Sequence, residues 1–193
     1  MTSKESFLDT LRKEEAIIRS LIENLDMENV QEIMEMIMSC KGVIEVTGCG
    51  TSGAAAMKIV HTLSCVQCPA MFMSPANANH GEIGAIREDD LVIMVSKGGK
   101  TMELESMIFP CQLRGANVIV VTENEDSPMA RQANAVLKIK ACEEPDDYNL
   151  LASGNAMAVI AVFDAIAIGI SRARGFSREE FRHIQTTAQD SAL

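Results

Sequence analysis

The sequence predicts an α/β fold: a three-layer αβα sandwich around a five-stranded parallel sheet, preceded by two helices. Three observations lead there. Short apolar runs of strand length alternate with segments whose apolar residues recur at helical spacing, the pattern of a parallel sheet covered on both faces. The run Leu91-Val92-Ile93-Met94-Val95, flanked by charge and glycine, has the length and uniformity of a buried parallel strand. Turns rich in glycine and hydroxyls stand twice between a strand and the helix after it.

Residues 4 to 25 carry Phe7, Leu8, Leu11, Ala16, Ile17, Leu21 and Ile22 on one face at a 3.6 period, a long amphipathic helix. A second helix starts after Asp26, an N-cap residue, carries Val30, Ile33, Met34 and Ile37, and stops by Gly42. Strand and helix then alternate: strand 43–47, helix 53–65, strand 70–73, an irregular stretch 74–84, strand 91–95, helix 101–114 with a kink at Pro110, strand 117–121, helix 127–133, strand 135–139. A helix from about Ala152 to Arg174, a turn at Gly175 and a helix opened by the capping pattern Ser177-x-x-Glu180 complete the chain. The expected division is one domain over 1–193, with leading helices at 1–40, the αβα body at 41–176 and a terminal helix at 177–193.

The loop Ser96-Lys97-Gly98-Gly99-Lys100-Thr101 follows a strand and precedes a helix, so its backbone N–H groups and the positive helix end face one point. That is the geometry of a phosphate site, although strand-to-helix turns also attract Gly, Ser and Thr as turn and capping residues. A second loop of the same build, Gly48-Cys49-Gly50-Thr51-Ser52-Gly53, favours the phosphate reading. Its Gly-x-Gly-x-x-Gly form lacks the acidic residue a dinucleotide site needs about 20 residues on, since Cys68 to Met73 holds no carboxylate. No Lys follows its last Gly, which excludes a nucleotide-hydrolase loop. The phosphate contacts expected are Gly50, Thr51, Ser52, Ser96, Lys97, Gly99, Lys100 and Thr101, with Lys97 or Lys100 adding charge from the rim.

Composition narrows the partners. In 193 residues there are 13 Met, six Phe, one Tyr and no Trp, so the core is aliphatic and sulfur-rich and stacking on bases is not its business. Seventeen basic against 27 acidic residues give a net charge of −10, which repels nucleic acid and anionic membranes while leaving room for a small anion locally. The charged N-terminus and the absence of about 18 consecutive apolar residues lead to the expectation of a cytoplasmic protein. The six cysteines are expected as reduced thiols, with Cys65-x-x-Cys68 read as packing at a helix end rather than a redox or metal pair.

Together, Gly48-Cys49-Gly50-Thr51-Ser52-Gly53, His80-Gly81-Glu82-Ile83-Gly84, Ser96-x-x-Gly99-x-Thr101, Ser127-Pro128-Met129-Ala130 and Ala173-Arg174-Gly175-Phe176 resemble the landmarks of the sugar isomerase (SIS) domain. Within it the chain is most similar to the arabinose-5-phosphate isomerases, over roughly residues 35 to 183. The resemblance implies a flavodoxin-like parallel sheet, a homodimer or homotetramer, a phosphorylated sugar as ligand, and aldose–ketose isomerisation without metal or organic cofactor. It places catalytic candidates at His80, Glu103 and Glu144. The departures are Thr51 where those isomerases have Lys, Lys100 where they have Glu, and Gln185-Thr186-Thr187-Ala188 in place of a His-Pro-Gly-Gly, with His183 as a stand-in two residues away. The companion pair of CBS motifs is absent, and Cys49-Gly50-Thr51-Ser52 is closer to the isomerase half of glucosamine-6-phosphate synthase.

Moving a carbonyl between C1 and C2 needs a base for the carbon-bound proton and donors for the enediolate oxygens. Glu144, following the last strand, is expected to be partly desolvated, though Glu143 to Asp147 also reads as a solvated acidic loop. Glu103 lies in a first helical turn, where the dipole favours any carboxylate. His80 sits in a loop beside Gly81, and His61 in mid-helix is expected to be structural. The competing class is a non-catalytic phosphosugar sensor.

Overall fold

The computed structural model describes residues 2–141 and 143–184. Two helices come first, α1 (Ser3–Asn24) and α2 (Met27–Ser39). Their starts are built as the residues dictate. Thr2 and Glu5 form a reciprocal capping box, and Asp26 accepts from the N–H groups of Glu28 and Asn29 at 3.0 and 3.2 Å.

The sheet and its crossovers follow: β1 (Ile44–Gly48), α3 (Thr51–Cys65), β2 (Ala70–Phe72), α4 (Pro75–Asn79), a 3-10 turn (Glu82–Ala85), β3 (Leu91–Val95), α5 (Met102–Leu113), β4 (Asn117–Thr122), α6 (Pro128–Gln132), β5 (Ala135–Lys138), α7 (Ser153–Ala173) and α8 (Arg178–Ile184). All strand pairs are parallel, in the order β2-β1-β3-β4-β5. The expected five-stranded parallel sheet is thus present. The chain runs outward from β1 to β2 and returns to β3 on the other side of β1, so the order reverses between β1 and β3. Gly48 is paired with Val95 at that point, which sets the loops after β1 and β3 side by side beyond the strand ends.

Alternate residues of one strand divide between two cores. Leu91, Ile93 and Val95 face a layer made by α1, α2, α3 and α7, with Ile17, Ile33, Ile59 and Phe163 fully buried. Val92 and Met94 face α5, α4 and α6, with Leu104, Met107, Ile108 and Met129. Both faces are therefore apolar, which is why β3 shows no alternation in sequence. Helix α7 is long and apolar enough by composition to cross a membrane, with a mean hydropathy of 1.8. It is a core helix: Ala158, Phe163, Ile166 and Ile170 are buried, and Asp164 accepts from Lys58 of α3 at 2.5 Å and Thr62 at 3.0 Å.

Two local expectations need correction. The stretch 74–84 is not irregular: Pro75 at the first helical position presets φ and opens α4, which His80 closes as its C-cap, and the 3-10 turn follows. The helix after β1 begins at Thr51 rather than 53, because Gly50 at φ +56° takes the N-cap and puts Thr51 and Ser52 in the first turn. Helix α5 runs on through Pro110, and Ser177 and Glu180 form the expected capping pattern at 2.7 and 3.2 Å.

Candidate functional site

The first loop is a backbone crossing. A Cβ on Gly48 would lie 2.7 Å from the carbonyl oxygen of Ser52, and one on Gly53 would lie 2.7 Å from that of Gly48, so neither position can carry a side chain. The space in front of Gly50, by contrast, is open. Thr51 is exposed and Ser52 half-buried, and among the described residues neither hydroxyl has a hydrogen-bond partner. The N–H groups of Gly53 and Ala54 are taken by the carbonyls of Cys49 and Gly50 at 3.3 and 3.1 Å, which leaves the two hydroxyls and the N–H groups of Thr51 and Ser52 as the donors at this end.

The second loop is tied down on its far side. Gly99, at φ +62°, donates to the Ser96 carbonyl at 3.1 Å and accepts from the N–H of Met129 at 3.2 Å. The Lys97 carbonyl accepts from Thr122 Oγ1 at 2.8 Å and from the Glu123 N–H at 3.0 Å. Ser96 is buried, and its hydroxyl is bonded to that of Thr101 at 2.9 Å. These two expected phosphate donors therefore spend one bond on each other. Lys100 is exposed on the rim as expected. Lys97 is partly exposed at the edge of the same loop, and its ammonium reaches 2.7 Å from Oε1 of Glu144.

Glu144 is the residue whose surroundings differ most from a solvated acidic loop. Its side chain is fully buried while that of Lys97 is 31% exposed. Oε2 accepts from the N–H groups of Gly154 and Asn155 at 2.8 and 3.3 Å, the N-terminus of α7, and the Glu144 N–H donates to Asn149 Oδ1 at 2.8 Å. A buried carboxylate held by an ammonium and a helix N-terminus has its charge compensated from two sides. The loop beyond it is knotted on Asp146, whose carboxyl is held below the usual carboxylate range by the N–H of Leu150, with those of Leu151 and Tyr148 adding to it.

Glu103 and His80 lie elsewhere. Glu103, exposed in the first turn of α5, lines an open cleft of about 370 Å³ with Gly48, Cys49, Gly50, Phe72 and Ser74. The Cys49 thiol in that cleft is pushed above its ordinary value, first by burial and then by the Glu103 charge. His80 is exposed at the end of α4 and lines neither this cleft nor the one of about 610 Å³ that Glu144 shares with Lys13, Ala16 and Asp146. The structure thus brings Glu103 to the first loop and Glu144 to the second, and no described cavity is lined by Glu103, Glu144 and His80 together. Asn79, which sequence reasoning passed over, fixes α4 on α5: Nδ2 donates to the carbonyls of Pro75 and Glu103 at 2.9 and 2.8 Å, and Oδ1 accepts from Ser106 at 2.9 Å.

His183 lies on α8, exposed, and Gln185 to Ala188 lie outside the described residues. Among the described residues no group of three His, Cys, Asp or Glu side chains could hold a metal. The Cys65-x-x-Cys68 spacing marks a helix end, with Gln67 at φ +57° and the Cys68 N–H bonded to the Leu63 carbonyl at 3.0 Å. Cys68 is buried beside Arg174, Cys65 is only half-buried with Sγ 3.7 Å from His61 Nε2, and both thiols are free. A further cleft of about 610 Å³, lined by Asn24, Asp26, Asn29, Glu125, Lys138 and Lys140, lies between the leading helices and β5. It holds as many acids as bases and none of the loop donors, so the candidate site remains at the switch point between β1 and β3.

The SIS domain family matches residues 37–168. The arabinose 5-phosphate isomerase KpsF of Escherichia coli is 34% identical over 176 residues, 91% of this chain and 56% of that protein. The chain therefore spans little more than half the length of that curated relative. Among solved structures, a Listeria monocytogenes protein described as a candidate sugar-phosphate isomerase superposes with a TM-score of 0.93 at 38% identity, covering 96% of this chain and 99% of that one. An E. coli CFT073 protein in complex with arabinose 5-phosphate superposes with a TM-score of 0.91 at 24% identity, covering 96% and 100%, and attests the fold alone. The order of the sheet, the two loops at its switch point and the match over most of the body agree: this chain belongs to the SIS domain family.

Proposed function

We propose that the protein is an aldose–ketose isomerase of a phosphorylated sugar, binding the phosphate at the loops 48–53 and 96–101 and using Glu144 as the base. The observation that carries the reading is Glu144 itself, a buried carboxylate set after the last strand and coupled to the second loop through Lys97. In the reaction the base removes the proton from C2 of the aldose, the electron pair moves into the C1–C2 bond, and the carbonyl oxygen becomes the enediolate oxygen. The same group returns the proton at C1 while the hydroxyl proton of O2 is transferred to O1, so that C2 becomes the carbonyl and C1 carries the hydroxyl of the ketose. Glu103, which lines the cleft at the first loop, acts on the sugar oxygens, and the donors of Gly50, Thr51, Ser52, Ser96, Gly99, Lys100 and Thr101 hold the phosphate.

The names of the relatives put arabinose 5-phosphate first among substrates. Thr51 and Lys100 stand where those isomerases have Lys and Glu, so substrate preference is the property most open to change. A net charge of −10 supports a small-anion ligand rather than nucleic acid or an anionic membrane. The five described cysteines are free, which supports a cytoplasmic setting. Ile168 on α7, and Phe7 and Ile22 on α1, are 48, 65 and 81% exposed, and we place a homodimer or homotetramer contact on these helices.

The test is a panel of five- and six-carbon sugar phosphates in deuterated water, followed by NMR at C1 and C2. Exchange is expected for at least one of them. Ser96→Ala removes a donor to a charged ligand and should weaken its binding by about 10- to 150-fold. Unchanged binding in that variant would refute the placement of the phosphate.

A further inference from the structure

We infer that Lys97 is a switch on Glu144: it blocks the carboxylate in the free protein and is drawn off it by the phosphate of the substrate. The inference rests on the reading of Glu144 as the base and of the 96–101 loop as the phosphate site.

Glu144 is held at every point but one. Its N–H is taken by Asn149, and Oε2 by the N–H groups of Gly154 and Asn155. Gly154 lies so close to the carboxylate that a Cβ there would stand 3.1 Å from Oε2 and 2.5 Å from Ile17 Cδ1, so only glycine fits beside it. Oε1 is what remains for a substrate proton, and the Lys97 ammonium occupies it at 2.7 Å. An ammonium at that distance competes with any carbon acid for the same lone pairs.

Lys97 has the freedom that Glu144 lacks. Its backbone is pinned through its carbonyl by Thr122 and Glu123, yet its side chain is partly exposed at the edge of the second loop. A phosphate dianion arriving at that loop offers twice the charge of a carboxylate, at hydrogen-bonding range of the same flexible stem. The ammonium then changes partner, and Oε1 is uncovered in the same event that anchors the sugar. No bond is made or broken in this step; one ion pair replaces another. Lys97 is a positioning residue acting through Glu144, and the switch makes turnover depend on the phosphate beyond its contribution to binding.

The experiment separates phosphate from sugar. The sugar that exchanges fastest in the panel is offered without its phosphate group, with and without inorganic phosphate in the same solution, and exchange in deuterated water is followed by NMR. In the unmodified protein inorganic phosphate should stimulate exchange of the unphosphorylated sugar by about 10- to 150-fold, the value of one charge-assisted contact. In Lys97→Met exchange should be fast without phosphate and unchanged by it, while the KM of the phosphorylated sugar rises. Lys97→Arg should restore the stimulation, which a purely structural role for the residue does not explain. Absence of stimulation in the unmodified protein, or equal stimulation in Lys97→Met, overturns the switch. Should Lys97→Met fail to fold, Lys97→Gln takes its place, and the unmodified protein decides the question by itself. Exchange of the phosphorylated sugar that survives Glu144→Gln breaks instead the assignment of the base, a separate result.

Discussion

A Cβ on Gly99 would stand 2.0 Å from the hydroxyl oxygen of Ser127, so the second loop keeps its shape only with glycine at that position. Ser127 cannot retreat freely, because its hydroxyl caps α6 by accepting from the Ala130 N–H at 3.2 Å. Gly99→Ala adds a left-handed conformation, costing about 1–2 kcal/mol, to a clash with this cap. A loss of a few kcal/mol in urea unfolding and loss of sugar-phosphate binding are expected. A variant that melts and binds like the unmodified protein would show that the loop is far softer than its contacts indicate.

Glu45, in the middle of β1, carries a carboxyl raised above its ordinary value by burial, with Asp90 and Glu82 adding repulsion. The sign follows from linkage: the folded state holds this proton more tightly than the unfolded chain, so stability falls as pH rises through the carboxylate range. Glu45→Gln should therefore be worth more near about pH 7 than near about pH 4, read as the shift in urea midpoint relative to the unmodified protein. A shift that is the same at both pH values, or larger in acid, would contradict the assignment.

The cysteines should divide by location under a thiol reagent. Burial pushes the Cys111 thiol up to about 11, and it should stay unlabelled in the native protein at neutral pH. Cys49 is half-buried in the cleft with Glu103, so it should label slowly, and a bound sugar phosphate should protect it. Mass spectrometry of digested samples reads both. Labelling of Cys49 indifferent to every sugar phosphate would remove the first loop from the site.

Much of this was legible in the sequence, for reasons that differ by element. The strands β3 and β4 were visible because burial on both faces leaves uninterrupted apolar runs, and α2 because Asp26 announces its start. Helix α4 was missed because five residues are too few for a period to show, and Pro75 was its one signal. Both loops stood out through Gly48, Gly50, Gly53 and Gly99, each placed where a side chain would collide or φ is positive. What no local pattern could reveal was the pairing of Lys97 with Glu144, 47 residues apart, or the closing of Ser96 on Thr101. Spacing puts residues at the ends of strands; which of them meet depends on how loops from different strands fold over one another.

The most direct test is deuterium exchange at C1 and C2 of sugar phosphates, arabinose 5-phosphate first, with the unmodified protein and with Glu144→Gln. If Glu144 is the base, exchange occurs in the former and falls by several orders of magnitude in the latter, while binding of the sugar phosphate persists. Exchange that continues in Glu144→Gln would move the base to another residue, Glu103 being the next to replace. Binding without exchange for every sugar in the unmodified protein would contradict the isomerase and leave a protein that senses a phosphosugar.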